Sequence, residues 1–316
     1  RRSEIWLNLF NWIPLFVLFS TSRIYLKSNT HRIKFSKYLL IGTVPVIFTC
    51  FLQKWFNLYG PFETFYGLIV WYNKELFAEN GVSGLFSNQN YTSFWLSTIF
   101  PLSLGVFLYK KRIYIKNFLI ITFIISIFYL TLLTTSRNGI IGLFTSLSII
   151  LGVNFLFKLF LFLIFLSFLF FLLNIFFPIS FLNFFELFLP INILDKFQIL
   201  EWNYKKWQRL IIWNEAIKFI SLKPFLGYGA ASFGLFFMSK YKFGYNINHI
   251  HNMPLQLAFD YGIPLSILLS SFVIILLIKS WSNIMGRLDK NNSEKILNKC
   301  WLTATIVTVL NHLNDI

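Results

Sequence analysis

Polar and apolar positions along this 316-residue chain fall into long blocks rather than the short alternation of a soluble fold. Eight stretches come close to the ~20 apolar residues that a helix needs to cross about 30 Å of hydrocarbon. They are Ile5–Ser20, Tyr38–Gln53, Tyr91–Tyr109, Asn117–Thr135, Asn138–Phe157, Lys158–Phe177, Leu255–Ile278 and Cys300–Ile316. Only helices and closed barrels satisfy backbone groups in lipid, and continuous runs of this length exclude the alternating barrel pattern. The expected fold class is all-α, a polytopic membrane helical bundle of about 8 spans forming a single membrane domain over residues 1–316. Phe155–Phe177, nearly pure Phe, Leu and Ile, reads as a lipid-facing helix. The first and last spans are short and the chain begins at Arg1 without Met, as expected of a fragment of a longer protein. Ile5–Ser20 is interrupted by Asn8, Asn11 and Pro14 and lacks a signal-peptide pattern.

Composition agrees: 56% of residues are hydrophobic, 13% are charged, and Phe alone fills 41 positions. A net charge of +16 raises the question of nucleic acid, but the placement of the charges answers it differently. Segments 21–37, 110–116 and 279–299 hold five, four and five Lys or Arg, whereas the alternating segments 54–90 and 134–138 hold two and one. That asymmetry is the positive-inside pattern. It assigns the dense segments to the cytoplasm, and 54–90, the turn at Arg137 and the long segment 178–254 to the outer side. The expected partner is membrane lipid, with no nucleic acid. Cys50 and Cys300 both fall in predicted spans, which argues against a structural disulfide or a thiolate metal site.

The polar segment from Arg209 to Gly262 stands out among the apolar runs. Ionisable groups are costly beside lipid unless used, so this segment and Arg137 in the sequence TTSRNG are the first places to look for function. Lys205 to Ser221 places Leu210, Ile211, Trp213, Ala216, Ile217 and Ile220 between Arg209, Asn214, Glu215 and Lys218, an amphipathic helix able to lie along a membrane surface. Arg209 and Trp213 are four apart and share a face, where an indole can steady a guanidinium stem. The same pattern also suits a helix that only binds anionic head groups. Pro224, Gly227 and Gly229 then predict a turn.

Asn252-Met253-Pro254 predicts a helix start, with Asn252 as cap and Pro254 in the first turn. His251 sits just before the positive end of that helix, which disfavours the imidazolium and leaves an imidazole able to accept a proton. A loop histidine without a task is the plain alternative. His249 lies two residues away, but His251 alone adjoins the cap. Upstream, Gly84 to Asn90 (GLFSNQN) predicts a turn capped by Asn88 or Asn90, with sugar binding as the second reading. Arg137 also lies by a helix start, with Thr135 or Ser136 as cap; an arginine snorkelling to water fits it as well.

A Gly-rich phosphate loop, HExxH and an Asp-x-Asp pair are all missing from the sequence, and no metal site is expected. What remains is two arginines and a histidine on one membrane face. Arginines bind diphosphates through paired, charge-assisted hydrogen bonds, and a neutral histidine can take the proton of an attacking hydroxyl.

The segments SRNG (136–139), R-x-x-x-W (209–213), KPFLGYG (223–229) and HN-x9-G (His251, Asn252, Gly262) stand in the order and spacing of the O-antigen ligase and polymerase superfamily. GLFSNQN resembles its upstream element, and His312 and Asp315 sit where related proteins end a span with a similar pair. The resemblance covers about residues 80–315, with Leu265 where ligases proper carry Gly, Thr or Tyr. It implies a bacterial inner-membrane glycosyltransferase, independent of metal, nucleotide and cofactor, that moves a glycan from undecaprenyl diphosphate to an acceptor hydroxyl in the periplasm with inversion. In that scheme Arg137 and Arg209 hold the donor diphosphate and His251 is the base, supported by Asn252, Trp213, Gly229, Gly262 and Asn90. The acceptor is a lipid A core sugar, a second lipid-linked unit or, in a protein O-oligosaccharyltransferase, a protein. A transporter for a small anion such as bicarbonate is the alternative from another class; it would more often show broken helices at mid-membrane.

Overall fold

The computed structural model describes residues 2–71, 81–86, 88–109, 115–176, 208–240, 247, 249–286 and 292–314. In chain order the described elements are α1 Arg2–Tyr25, α2 Asn29–Phe56, β1 Phe62–Thr64, β2 Ile69–Trp71, α3 Gln89–Tyr109, α4 Ile115–Leu133, α5 Arg137–Leu151, α6 Val153–Phe176, α7 Gln208–Leu222, α8 Phe233–Lys240, α9 Met253–Tyr261, α10 Ile263–Gly286 and α11 Asn292–Asn314. The two strands form a small antiparallel hairpin, Phe62 opposite Trp71. Segment 178–207, most of 110–116 and Asp315 lie outside the described residues.

Among the described residues, three helices are long and apolar enough to cross a membrane: α2, α3 and α10. At 28, 21 and 24 residues they extend about 42, 31 and 36 Å at 1.5 Å per residue. The apolar parts of α1, α4, α5 and α6 are shorter. Two predicted spans are each broken by a glycine. Asn138–Phe157 divides at Gly152 into α5 and α6, and Leu255–Ile278 divides at Gly262 into α9 and α10. Both glycines have φ near 92° and ψ near 160°, a region essentially closed to residues with a Cβ. Hydropathy is blind to such a break, because the flanking residues stay apolar through it.

The bundle is organised around α3, two-thirds of whose apolar window is buried (67%) and which packs against α2, α4, α5 and α11. Leu96, Ile99, Phe100, Ile127, Leu130, Leu143 and Leu297 are core members at these contacts. Small residues allow close approach: a Cβ on Gly142 would lie 3.0 Å from Ser97 and from Val307, and one on Gly105 3.0 Å from Cys300. Polar bonds cross the same interfaces, from Trp95 Nε1 to Thr43 Oγ1 (3.0 Å) and from Asn311 Nδ2 to Ser97 Oγ (3.3 Å). By contrast only 6% of the apolar window of α10, which packs on α9 and α11, is buried.

Contacts at the helix termini sort into two ends. At the basic end, Arg32 near the start of α2 donates to Asn298 near the start of α11, and Lys299 Nζ reaches the Ile150 carbonyl at the end of α5 (3.3 Å). At the opposite end, Gln53 of α2 is fully buried and accepts from Ser83 N (2.9 Å) and Gly84 N (3.0 Å) of the loop before α3. Val82 N of that loop donates to Leu133 O at the end of α4 (3.2 Å). The ends of α2, α4 and α11 and the starts of α3 and α5 therefore share one end, as the charge asymmetry predicts for alternating helices.

Candidate functional site

The turn before α9 is bonded from several directions. Asn252 is the N-cap as expected: its backbone is extended (φ −158°, ψ 111°) and its Oδ1 accepts from Leu255 N at 3.0 Å, with Pro254 in the first turn. Its Nδ2 donates to the Leu313 carbonyl near the end of α11 (2.9 Å). His251 has φ 57°, a left-handed conformation that costs a residue with a Cβ about 1–2 kcal/mol. Such strain persists only where the surroundings impose it. Here they do: on the other flank Ile250, itself fully buried, donates its N–H to Gln256 Oε1 (3.0 Å) and accepts from Trp213 Nε1 (3.0 Å). Three elements, α7, α9 and α11, thus hold the two residues that flank His251. The histidine is half-buried with Nδ1 shielded from solvent, whereas His249 is exposed.

Trp213 lies one turn along α7 from Arg209, and its indole N–H binds the histidine turn. Arg209 is half-buried. The face of α7 that packs consists of Ile212, Ala216 and Ile220, with Phe219 beside them, against Phe233, Phe237, Ile250, Ala258 and Phe259. This corrects the expected amphipathic face: Ile211 and Ile217 are exposed, and Glu215 is buried (4%) while paired with Lys218 at 2.8 Å. A helix that docks on α8 and α9 selects its inner face by shape, which a two-class pattern does not capture.

The Pro224 to Gly229 turn sits on the break between α9 and α10. Tyr228 N donates to Phe259 O (2.8 Å), Gly229 N to Asp260 O (2.9 Å) and Ile263 N to Pro224 O (2.7 Å). A Cβ on Gly262 would lie 2.1 Å from the Phe225 carbonyl oxygen, and one on Gly227 2.6 Å from the Asp260 carbonyl. Gly227 and Gly262 serve this backbone contact; a Cβ on Gly229 would meet nothing within 4 Å, and that glycine is required instead by its φ of 94°. Lys223 lies over the Tyr228 ring (4.8 Å), which stacks on Phe259 with centroids 4.9 Å apart.

Arg137 is the first residue of α5 and is exposed. Ser136 takes the N-cap position without a capping side-chain bond, and Thr135 before it is left-handed (φ 55°). A Cβ on Gly139 would fall 1.8 Å from Ser93 Oγ, so the SRNG glycine lets the first turn of α5 lie directly on α3. Asn88 rather than Asn90 accepts at the start of α3, from Asn90 N at 2.9 Å; Asn90 is half-buried in the first turn. Nearby, His312 of α11 packs edge-on to Phe94 (5.2 Å). Its Nδ1 faces the Thr308 carbonyl at 2.8 Å, so Nδ1 must be the donor. Through Asn252 and Leu313, the same end of α11 meets the His251 turn. The structure therefore brings His251, Asn252 and Trp213 together directly. It joins Arg209 to them along α7, and Arg137 and Asn90 to the same end of the bundle through α3 and α11.

Sequence reasoning overlooked Gln256 and Asp260. Gln256 Nε2 donates to both carboxylate oxygens of Asp260 (3.1 and 3.0 Å), four residues on and one turn away. Burial pushes the Asp260 carboxyl up to about 6, with the Gln256 bond pulling the other way. The available signal was the spacing Asn252, Gln256, Asp260, which aligns the cap with two polar side chains on one face of the nine-residue helix.

Residues 121–270 match the family described as O-antigen ligase, an interval that contains Arg137, Arg209, the Pro224–Gly229 turn, His251 and Gly262. No curated protein matches the chain. Members of that family are glycosyltransferase-like enzymes. Over residues 121–270, whose motif residues build the turn around His251, the chain is similar to the O-antigen ligase family.

Proposed function

We propose that the protein is a glycosyltransferase of the O-antigen ligase or polymerase type, transferring a glycan from undecaprenyl diphosphate to an acceptor hydroxyl at the periplasmic face of the inner membrane. The observation that carries this reading is the His251 turn: a left-handed histidine whose neighbours Ile250 and Asn252 are bonded to α7, α9 and α11, at the same end as the arginine that opens α5. The acceptor oxygen attacks the anomeric carbon as the bond from that carbon to the diphosphate oxygen breaks, inverting the centre. His251 takes the hydroxyl proton. The leaving lipid diphosphate keeps the bonding electron pair, and Arg137 and Arg209 neutralise the charge that develops on it. No metal is required, so EDTA leaves the rate unchanged.

Reconstitution with a purified lipid-linked donor tests the assignment. Arg137→Ala and Arg209→Ala each nearly abolish transfer, and Lys at either position restores it only in part because the planar fork is lost. If both arginines serve one diphosphate, the double Ala variant loses less than the product of the two single effects. His251→Gly relieves the left-handed strain, so it folds at least as well as the parent while transfer falls roughly 10²–10⁴-fold; His249→Ala changes little. Full transfer in His251→Gly refutes the base, and strictly multiplicative arginine effects refute the shared diphosphate.

A further inference from the structure

Gln256 occupies a position whose orientation is fixed by chemistry. A carboxylate can only accept, so the amide nitrogen must face Asp260 and the amide oxygen must face the Ile250 N–H. The observed bonds obey this: Nε2 to Asp260 at 3.1 and 3.0 Å, and Oε1 from Ile250 N at 3.0 Å. Asp260 is itself buried (8% exposed), and its own carbonyl receives Gly229 N from the Pro224–Gly229 turn at 2.9 Å. A carboxylate at the end of α9 is thereby connected through one side chain to the residue before His251. We propose that Asp260 is a positioning residue, acting through Gln256 to hold the His251 turn in its left-handed conformation.

This inference rests on the transfer reading for its catalytic consequence, but its structural content stands apart. A polar pair that only fills space would tolerate any isosteric change. A directional relay would not, because donor and acceptor must alternate from Asp260 to Ile250. Gln256→Glu keeps shape but sets two carboxylates face to face and removes the donor to Asp260. The reciprocal exchange, Gln256→Glu with Asp260→Asn, rebuilds the sequence: the new amide donates to one oxygen at 256 while the other oxygen accepts from Ile250.

Two readouts on the purified full chain test this. In hydrogen-exchange mass spectrometry, a peptide containing Ile250 exchanges faster in Gln256→Glu and returns to the parent rate in the reciprocal double variant. In the transfer assay, Gln256→Glu lowers kcat by about 10²-fold, the scale expected when a reacting group is displaced by ~1 Å, with donor KM unchanged; the double variant regains most of the loss. Asp260→Asn alone keeps one acceptor oxygen, folds, and shows a smaller loss, which preserves the test if Gln256→Glu is poorly produced. Exchange and kcat unaltered in Gln256→Glu, or no recovery in the double variant, overturns the relay while leaving the function intact. Absence of transfer by the parent protein instead overturns the function, full transfer in His251→Gly overturns only the base assignment, and the exchange data still judge the relay by themselves.

Discussion

Asp260 illustrates, at the scale of one residue, a conflict between stability and arrangement. Burial raises its carboxyl to about 6 from an ordinary 3.8, so the folded protein holds that proton more tightly than the unfolded chain does. Stability then falls as pH rises through the interval from about 4 to about 6 and stays lowered above it. At neutral pH the carboxylate is ionised in α9, just ahead of the crossing helix α10, and its burial opposes folding. Asp260→Asn removes that charge while keeping one acceptor for Gln256. The variant is expected to unfold at higher temperature than the parent at pH 7.5, by roughly 2–4 °C for each kcal/mol gained, and to show no advantage near pH 4. Thermal unfolding followed by tryptophan fluorescence at the two values measures this. A gain of equal size at both pH values would mean that packing rather than charge is responsible.

Individual elements are placed by a few backbone contacts that side-chain patterns do not display. The sharp break between α9 and α10 needs Gly262 for two reasons, its φ of 92° and the Phe225 carbonyl 2.1 Å from where a Cβ would stand. Gly227 answers to the same contact from the other side, while Gly229 has open space around it. Alanine substitutions are therefore expected to rank Gly262 above Gly227 above Gly229, with Gly262→Ala costing about 2–4 kcal/mol and Gly229→Ala, strained only by its φ of 94°, about 1–2 kcal/mol. Denaturation of the three variants in one detergent checks the order, and an equal cost at Gly229 and Gly262 contradicts it. This contrast also explains what could be read in the sequence. The helices themselves, the Asn252 cap and the presence of a helix over α7 follow from apolar run length, capping chemistry and periodicity. The breaks at Gly152 and Gly262 do not, because an isolated glycine in an apolar run is equally compatible with a continuous helix. Arg137, Arg209 and His251 were visible as costly polar groups beside lipid. Gln256 and Asp260 were hidden because their importance lies in a bond to the backbone of Ile250, a contact between a helix and the turn before it that composition cannot express.

For the molecule as a whole, the terminus contacts and the charge distribution make independent statements about the same axis. Arg32, Asn298, Ile150 and Lys299 meet at one end; Gln53, Ser83, Leu133 and Arg137 lie at the other, and α11 carries the second end to the His251 turn through Leu313. The first end coincides with segments 21–37 and 279–299, which hold five Lys or Arg each, and the positive-inside rule assigns such segments to the cytoplasm. The hairpin tip, where Tyr66 is fully exposed, and the exposed Ala230 in the turn after Gly229 should then both face the periplasm. Single cysteines at Tyr66, Ala230 and Lys27, all exposed positions, make the comparison clean because the native Cys50 and Cys300 are fully buried. With an impermeant maleimide on spheroplasts, Tyr66→Cys and Ala230→Cys are expected to label at once, and Lys27→Cys only after the membrane is permeabilised. Labelling at Lys27 alone would invert the protein and place the candidate base on the wrong side for a periplasmic acceptor. Opposite behaviour at Tyr66 and Ala230 would go further: the hairpin after α2 and the turn that supports His251 would lie on different sides of the membrane, and a diphosphate bridging Arg137 and Arg209 would be ruled out with them.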